Sequence, residues 1–168
     1  MTMSPSREYG ELYRNRKGYL SLNVQALVNA YLEFMDVVVR WPGYSNDSNI
    51  FSNSRLKARM ELPEFSDCII LGDSGYVLSL YLLTPLVRTT TNAERLYNES
   101  QIWSRNVVER RFGVWKRRFP VLFFELCLKM KTTMPVIQAC AEFHNIINIA
   151  RLQRDPQPPD YIENIKQL

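Results

Sequence analysis

Two acidic residues are the first candidates for chemistry in this sequence of 168 residues. Asp73 follows the apolar run at 68–71 and lies between two glycines, Gly72 and Gly75. A run of this kind indicates a buried strand, with a turn of buried helix as the alternative. The glycines let the backbone turn sharply, so Asp73 is expected at the carboxyl end of the strand. Metals and ligands bind at that end in open sheets flanked by helices.

Glu109 is the second candidate and lies in a helical pattern. Apolar residues spaced by four, three and four positions form a packing stripe, namely Val108, Phe112, Trp115 and Phe119. Because Glu109 follows Val108, it is expected at the border of that stripe, where its carboxylate can lean over the edge of a sheet. In the alternative interpretation, Asp73 caps a turn and Glu109 pairs with Arg105 or Arg110 on its own helix.

Carboxylates at these two places would suit divalent metal ions. Magnesium and manganese prefer oxygen ligands and keep several of their waters. Phosphoryl transfer on DNA uses two such ions about 3.5–4 Å apart, one at the attacking oxygen and one at the leaving oxygen. Asp47 and Asp36 are further candidates. Asp47 is expected to cap a helix, with a supporting position near the metal as the alternative, and Asp36 would join only if it faced Asp73.

Positive charge is concentrated on one segment of the chain. The formal net charge is +4, and seven arginines and lysines stand against three glutamates between Glu94 and Phe119. That segment therefore carries the whole excess. A basic strip beside metal-binding carboxylates suits a phosphate backbone, and a solvated helix face is the alternative. The candidates for phosphate contact are Arg105, Arg110, Arg111, Lys116, Arg117 and Arg118.

Hydrophobic periodicity predicts strands and helices of an α/β domain over residues 1–150. The polar residues from Arg151 and the prolines at 156, 158 and 159 predict a proline-rich flexible tail over 151–168. Alternating apolar residues favour an antiparallel hairpin near the start of the domain. The predicted elements are, in order, strands over 19–28 and 34–40, a helix over 48–60, strands over 68–73 and 81–86, a long helix from Ala93 or Glu94 capped by residues 89–92, and a last helix after Pro135.

The cysteines and the single histidine favour structural roles. Cys68, Cys127 and Cys140 are odd in number and lack metal-ligand spacing, which indicates buried thiols in a reducing compartment. His144, the only histidine, is expected in the core or in a hydrogen bond between helices, and a zinc site or a Ser–His hydrolase has little support. No stretch reaches the roughly 18 apolar residues of a transmembrane helix, and the start lacks a signal-peptide pattern.

Six blocks of the sequence, taken in order, resemble the nuclease domain of PIF/Harbinger-type DDE transposases. Together they extend over nearly the whole chain, and six in order are far more specific than any one of them. The blocks are NRKGYLSLNVQ (15–25), RWPGYSNDSNIF (40–51), LGDSGY (71–76), YLLTPL (81–86), NAERLYN (92–98) and VVERRFG (107–113).

The resemblance implies a ribonuclease-H-like mixed sheet flanked by helices, in which three carboxylates hold magnesium or manganese for cutting and joining DNA. By motif, Asp73 matches the family's second carboxylate and Glu109 its third. Asp47 lies in a block that usually reads His-Asp-Ser, and Asn46 replaces that histidine. The first carboxylate belongs to a strand that would precede the segment resembling residues 4–18, and residues 1–3 contain no acid. The sheet is therefore expected to lack its first strand.

The sequence thus predicts a Harbinger transposase-derived, nuclease-like protein that binds divalent metal and DNA and is catalytically impaired. The alternative is a non-catalytic descendant that binds DNA or protein through the basic helix of residues 94–119, and a fragment without a function of its own is the third interpretation. By resemblance, a Myb-like DNA-binding protein is the expected partner. The cluster of Lys116, Arg117 and Arg118 is a weak nuclear-import signal, so the nucleus is the expected location, with the cytoplasm as a second one and no role at a membrane.

Overall fold

The computed structural model describes residues 11–15, 17, 18, 20–123 and 128–154 of the chain. It confirms a mixed α/β composition and divides into two compact units. The first unit consists of Met1–Tyr44 and Arg111–Leu168, and the second unit is Ser45–Arg110. The helices and strands are β1 (Leu22–Val28), β2 (Phe34–Pro42), α1 (Asp47–Ser52), α2 (Arg55–Met60), β3 (Ile70–Leu71), β4 (Leu82–Leu83), α3 (Asn92–Arg118) and α4 (Met130–Arg154), with short 3₁₀ helices at Glu11–Tyr13, Pro63–Phe65 and Pro120–Leu122.

Strands β1 and β2 form the antiparallel hairpin that the alternating pattern predicts. Leu22 lies opposite Pro42 and Val28 opposite Phe34, with two shifts of register along the ladder. Such shifts mark bulges, which bend and twist the strands. The apolar face of β1 packs against the core of the first unit.

The turn of this hairpin is built on the side chain of Asn29. Its Oδ1 accepts the backbone N–H groups of Tyr31 at 3.0 Å and Glu33 at 2.9 Å. Leu32 lies in the left-handed region with a φ of 64°, which is uncommon for a residue with a branched side chain. Asn29 compensates for that backbone geometry because its side chain supplies the hydrogen bonds that a tight turn needs.

The core of the first unit is centred on Phe34. The ring centroid of Phe34 lies 4.9 Å from that of Trp115, 5.5 Å from that of His144 and 6.0 Å from that of Phe112. Edge-on and tilted contacts of this kind are favourable for aromatic rings. The start of β2 is thereby fixed between α3 and α4. Apolar residues complete the core, namely Leu22, Val39, Leu122, Ile137, Cys140 and Ala141.

Helix α4 differs from the prediction at both ends. It begins at Met130 and not after Pro135, which lies inside the helix. Proline removes one helical N–H, and the carbonyl that it leaves unpaired belongs to Lys131, whose residue is exposed and can be solvated. The helix also continues to Arg154, so the polar residues from Arg151 do not end it. The remainder of the predicted tail lies outside the described residues.

His144 takes the buried, interhelical role that the sequence favours. It has no exposed surface, and Arg118 on α3 donates a hydrogen bond from its Nη1 to Nδ1 of His144 at 3.2 Å. Burial, followed by the positive charges of Arg111 and Arg118, lowers the pKa of His144 to about 4. The histidine is therefore neutral in the folded protein near neutral pH.

The core of the second unit contains the two short helices and the second sheet. Instead of one helix over 48–60, the structure has α1 and α2, because Ser54 caps the start of α2 by accepting the N–H of Lys57 at 3.1 Å. Strand β3 pairs with β4 in parallel, Ile70 opposite Leu82. Both strands are shorter than predicted. The turn at Asp73 ends β3. Buried apolar residues fill this unit, namely Ile50, Phe51, Leu56, Met60 and Leu82.

The strands do not combine into the single mixed sheet that the sequence predicts. Among the described residues, β1 pairs with β2 and β3 pairs with β4, in two sheets of two strands each. The described part of the chain contains no strand that hydrogen-bonds to both sheets. The ribonuclease-H-like order of strands therefore stays a prediction. None of the described helices is both long and apolar enough to span a membrane.

The state of His144 predicts how the free energy of unfolding depends on pH. A pKa lowered to about 4 in the folded state, against about 6.5 in the unfolded chain, means that the unfolded state binds more protons between these values. The free energy of unfolding should then fall as the pH drops below about 6.5, by about 2 kcal/mol at about pH 5. Urea unfolding at several pH values measures this loss.

The single imidazole makes a direct control available. Because His144 is the only histidine in the chain, its ring C–H proton gives one isolated NMR titration curve in the folded protein. A midpoint close to 4 is expected, and a midpoint near the ordinary value would show that the ring is solvated and contradict its burial.

Candidate functional site

Asp73 forms a turn directly after β3. Its Oδ1 accepts the backbone N–H of Gly75 at 2.7 Å, and its carbonyl accepts the N–H of Tyr76 at 3.2 Å. This is the turn-capping role that the sequence offered as one interpretation of Asp73. Aspartate suits it because a short carboxylate can reach the N–H two residues on. The residue is half-buried, so the carboxylate stays partly accessible.

Gly75 brings a second carboxylate close to Asp73. A methyl group on Gly75 would come within 2.9 Å of Oδ1 of Asp73 and within 3.2 Å of Oδ2 of Asp47. Both oxygens therefore lie around one point beside the glycine, and there is room for them only because it has no side chain. Asp47 thus lies near Asp73, and its supporting role at a metal stays a prediction.

The first turn of α1 holds Asp47 in this position. The N-cap is Asn46, whose Oδ1 accepts the N–H of Ser48 at 2.9 Å, so the prediction that Asp47 itself caps the helix is wrong. Asn46 takes the cap because it precedes the first helical residue, where its side chain can reach back to the helix. Ser48 Oγ accepts the N–H of Val77 at 3.1 Å, which ties α1 to the turn at Asp73.

Glu109 makes a local ion pair in this structure. Its Oε1 lies 3.1 Å from Nη2 of Arg105, one helical turn away, and its side chain is 65% exposed. This is the pairing weighed against metal binding in the sequence. An exposed pair of this kind contributes about 0–1 kcal/mol, so Glu109 is held weakly. Asp36 lies in β2, in the first unit.

The donor set can be tested against a divalent cation. Asp47 and Asp73 supply carboxylate oxygens, which magnesium and manganese prefer. In the part of the chain that the structure describes, no group of three or more His, Cys, Asp or Glu side chains could hold a metal ion. A cation held by the pair at Gly75 would have to take its other ligands from water or substrate. The assignment of Asp73 and Glu109 as metal ligands stays a prediction.

The basic residues of α3 fall into three environments. Arg110, Lys116 and Arg117 are exposed, and Arg105 is engaged with Glu109. Arg118 is half-buried and donates to His144 and Asn148. Of the six basic residues that the sequence predicts as phosphate contacts, three are therefore exposed, namely Arg110, Lys116 and Arg117.

Arg111 is buried, which makes it unsuitable for the predicted phosphate contact. It is 8% exposed, and its Nε donates to the carbonyl of Leu32 at 2.7 Å. The sequence could not separate Arg111 from Arg110, because both belong to the same run of charges. Only the position of the Asn29 turn against α3 decides which of the two arginines is buried.

Polar contacts of Asn98 and Tyr97 that position α3 were not predicted. Asn98 donates from Nδ2 to the carbonyl of Leu86 and accepts the N–H of Leu86 on Oδ1, at 2.9 and 2.8 Å. Tyr97 donates its hydroxyl to the carbonyl of Thr84 at 2.9 Å. These polar side chains fix the first half of α3 to the segment after β4. A polar residue in a helical pattern is normally assigned to solvent, so no sequence signal distinguished them.

Comparison with known proteins identifies the class of this fold and site. The chain belongs to the DDE superfamily endonucleases, whose family model matches residues 2–145. The resemblance that rests on the blocks around Asp73 and Glu109 is thereby confirmed at the level of the family.

Individual relatives extend well beyond the matched region. HARBI1 of Homo sapiens is 33% identical over 137 residues, which are 80% of this chain and 39% of that protein. HARBI1 of Mus musculus is 34% identical over the same coverage. "Protein ALP1-like" of Arabidopsis thaliana is 27% identical over 146 residues, 76% of this chain and 35% of that protein. The chain thus spans well under half the length of these relatives. No solved structure matches it.

The burial of Arg111 predicts a difference between neighbouring arginines. Arg111→Gln is expected to lower the free energy of unfolding by roughly 1–3 kcal/mol, because the buried Arg111 side chain is lost and the Leu32 carbonyl loses a charged donor. Arg117→Gln, at an exposed position of the same helix, should change it by less than about 0.5 kcal/mol. Urea unfolding near neutral pH compares the two variants, and equal effects would contradict the buried position of Arg111.

Proposed function

We propose that this chain is the nuclease-like part of a DDE endonuclease that binds a divalent cation beside Gly75 and DNA along α3. The observation that carries the proposal is the placement of Asp47 and Asp73 around one point, in a family described as endonucleases. Magnesium or manganese is the proposed cation, because both ligands are carboxylates.

The residues of this chain prepare the proposed site in a definite way. Gly75 leaves space for the two carboxylates, and its N–H orients Oδ1 of Asp73, the oxygen that lies beside Asp47. A carboxylate oxygen has a second lone pair, which remains available to a cation. Ser48 ties the two elements that carry the acids. A cation bound there would supply Lewis-acid stabilisation of charge on a phosphodiester. Such stabilisation is needed because DNA brings its own negative charge to an acidic site.

We further propose that residues 1–168 alone cleave DNA poorly. The described residues bring together two carboxylates, while Glu109 is engaged with Arg105. A displacement that uses two metals requires a carboxylate that bridges both ions. Because the ion pair of Glu109 is weak, the residue could exchange to a cation when DNA is bound. This keeps Glu109 as a proposed third ligand.

The second candidate function is non-catalytic binding through α3. It is favoured by the exposed positions of Arg110, Lys116 and Arg117, which suit a phosphate backbone. A Myb-like partner protein and a nuclear location remain part of the proposal on the strength of the family resemblance. Metal binding and DNA binding can be tested separately, so the two candidates are distinguishable.

The metal proposal predicts different effects for two substitutions of Asp73. Asp73→Asn keeps an oxygen that can accept the Gly75 N–H, but it removes the carboxylate charge that holds the cation. Asp73→Ala removes both. Calorimetric titration with manganese should show binding by the wild type and none by either variant, while the melting temperature should fall only in Asp73→Ala.

A matched control comes from the same unit. Asp67→Asn removes one exposed carboxylate without touching the turn, and it should leave manganese binding unchanged. If Asp73→Asn binds manganese as the wild type does, the carboxylate serves the turn alone and the proposed cation site is wrong.

The DNA proposal predicts a salt dependence that resides in three side chains. Replacing Arg110, Lys116 and Arg117 together by Gln should lower the slope of log Kd against log salt by about 2–3, since each phosphate contact contributes roughly 0.9. Fluorescence anisotropy with a short duplex measures the slope. The matched control replaces three other exposed cations by Gln, namely Arg88, Lys129 and Lys131. Equal changes in both triple variants would mean that net charge alone governs binding.

A further inference from the structure

Trp103 is the most exposed of the three tryptophans of the chain. It lies on α3 and is 49% exposed. The other two have partners, since the ring of Trp115 packs against that of Phe34 and the guanidinium of Arg40 lies over that of Trp41. The indole of Trp103 makes no such ring or cation contact with the described residues. A large aromatic surface is therefore open to water on the helix that is proposed to bind DNA.

Arg110 brings positive charge to the same side of the helix. It lies seven residues after Trp103, which is close to two full turns and about 10 Å along the axis. Its side chain is exposed, and its Nε donates to the carbonyl of Asn106 at 3.3 Å. The guanidinium thus folds back along the helix, towards Trp103. A DNA strand with a phosphate on Arg110 would have a base within reach of the indole.

Glu99 restricts which part of DNA can approach the indole. It is exposed and lies four residues before Trp103, at the spacing at which side chains on a helix are neighbours. Its carboxylate repels a phosphate, whereas a carboxylate can accept a hydrogen bond from the amino group of a base. The helix therefore presents an aromatic ring and an acceptor that suit a base, next to a cation that suits the backbone.

An unpaired base fits this surface better than other occupants. Inside a duplex, neighbouring bases cover both faces of each base, so an indole can stack only on a base that is unpaired or turned out of the stack. Proteins that bind single strands combine aromatic side chains with basic ones in this way. Leu96 and Ile102 are also exposed, but Glu99 lies between them, three residues from each. An apolar protein partner would therefore have to bury that carboxylate, which is costly.

We propose that Trp103 stacks on an unpaired base of DNA while Arg110 holds a phosphate of the same strand. The preferred DNA is thus a duplex with a single-stranded end rather than a blunt one. This inference rests on the proposed binding of DNA along α3 and adds to it the form of the DNA. It does not depend on the proposed cation site.

Fluorescence anisotropy with two hairpin duplexes tests the stacking. Both carry a short single-stranded end, but one end lacks its bases and keeps only the sugar–phosphate backbone, so that the charge is matched. The wild-type chain should bind the end with bases about ten-fold or more tightly, because of stacking on the aromatic ring. Trp103→Ala should remove this preference, and Trp103→Phe should keep part of it. The matched control is Ile102→Ala at the adjacent exposed position, which should keep the preference in full.

Tryptophan fluorescence reports the same contact directly. A base stacked on an indole quenches its emission, so the end with bases should quench the wild-type chain and the end without bases should not. The quenching should be absent in Trp103→Phe, in which Trp41 and Trp115 remain.

Several outcomes would overturn the inference. Equal affinity of the wild-type chain for the two ends, or an unchanged preference in Trp103→Ala, would mean that the ring does not stack, while binding of both hairpins that is lost on replacing Arg110, Lys116 and Arg117 by Gln would leave the proposed DNA binding intact. Equal loss of the preference in Trp103→Ala and Ile102→Ala would indicate a general apolar surface, which suits a protein partner. A chain that binds neither hairpin would contradict the DNA binding itself.

Discussion

The carbonyl oxygen of Leu32 is the point on which the first unit depends. It accepts a hydrogen bond from Arg111 of α3 at 2.7 Å and another from Asn148 of α4 at 3.4 Å. The left-handed backbone of Leu32 accompanies this arrangement, although it costs roughly 1–2 kcal/mol for a residue of this type. One peptide group of the hairpin thus fixes both long helices of the unit.

The same hairpin is anchored a second time, two residues further on. Asn145 of α4 accepts the N–H of Phe34 and donates to its carbonyl, both at 2.9 Å. The amide of Asn145 therefore satisfies both backbone groups of Phe34, as a further strand beside β2 would do. A hydrogen bond that leaves no buried group unpaired contributes about 0.5–1.5 kcal/mol. Together with the ring contacts of Phe34, these bonds determine how the sheet and α4 pack.

Local signals in the sequence predicted the elements that depend on local contacts. Thr91 and Glu94 form the expected cap of α3, in which the Glu94 carboxylate accepts the N–H groups of Thr90 and Thr91, and this lowers the pKa of Glu94 to about 2. The hairpin was predicted for the same reason. By contrast, the burial of Arg111 depends on a residue far away in sequence, and no local pattern contains that information. The sequence offered a place for Asp47 near Asp73 only as an alternative, because their proximity depends on the absence of a side chain at Gly75.

The division into two units has a consequence for the order in which the chain folds. The second unit is a single continuous stretch, Ser45–Arg110, whereas the first is assembled from Met1–Tyr44 and from the residues after Arg111. Contacts between near neighbours form sooner than contacts across long loops. On the ribosome, the second unit is synthesised in full before α4 exists, while β1 and β2 form a hairpin that is only marginally stable by itself. Strands β1 and β2 therefore wait for α4 before the packing of the first unit is complete.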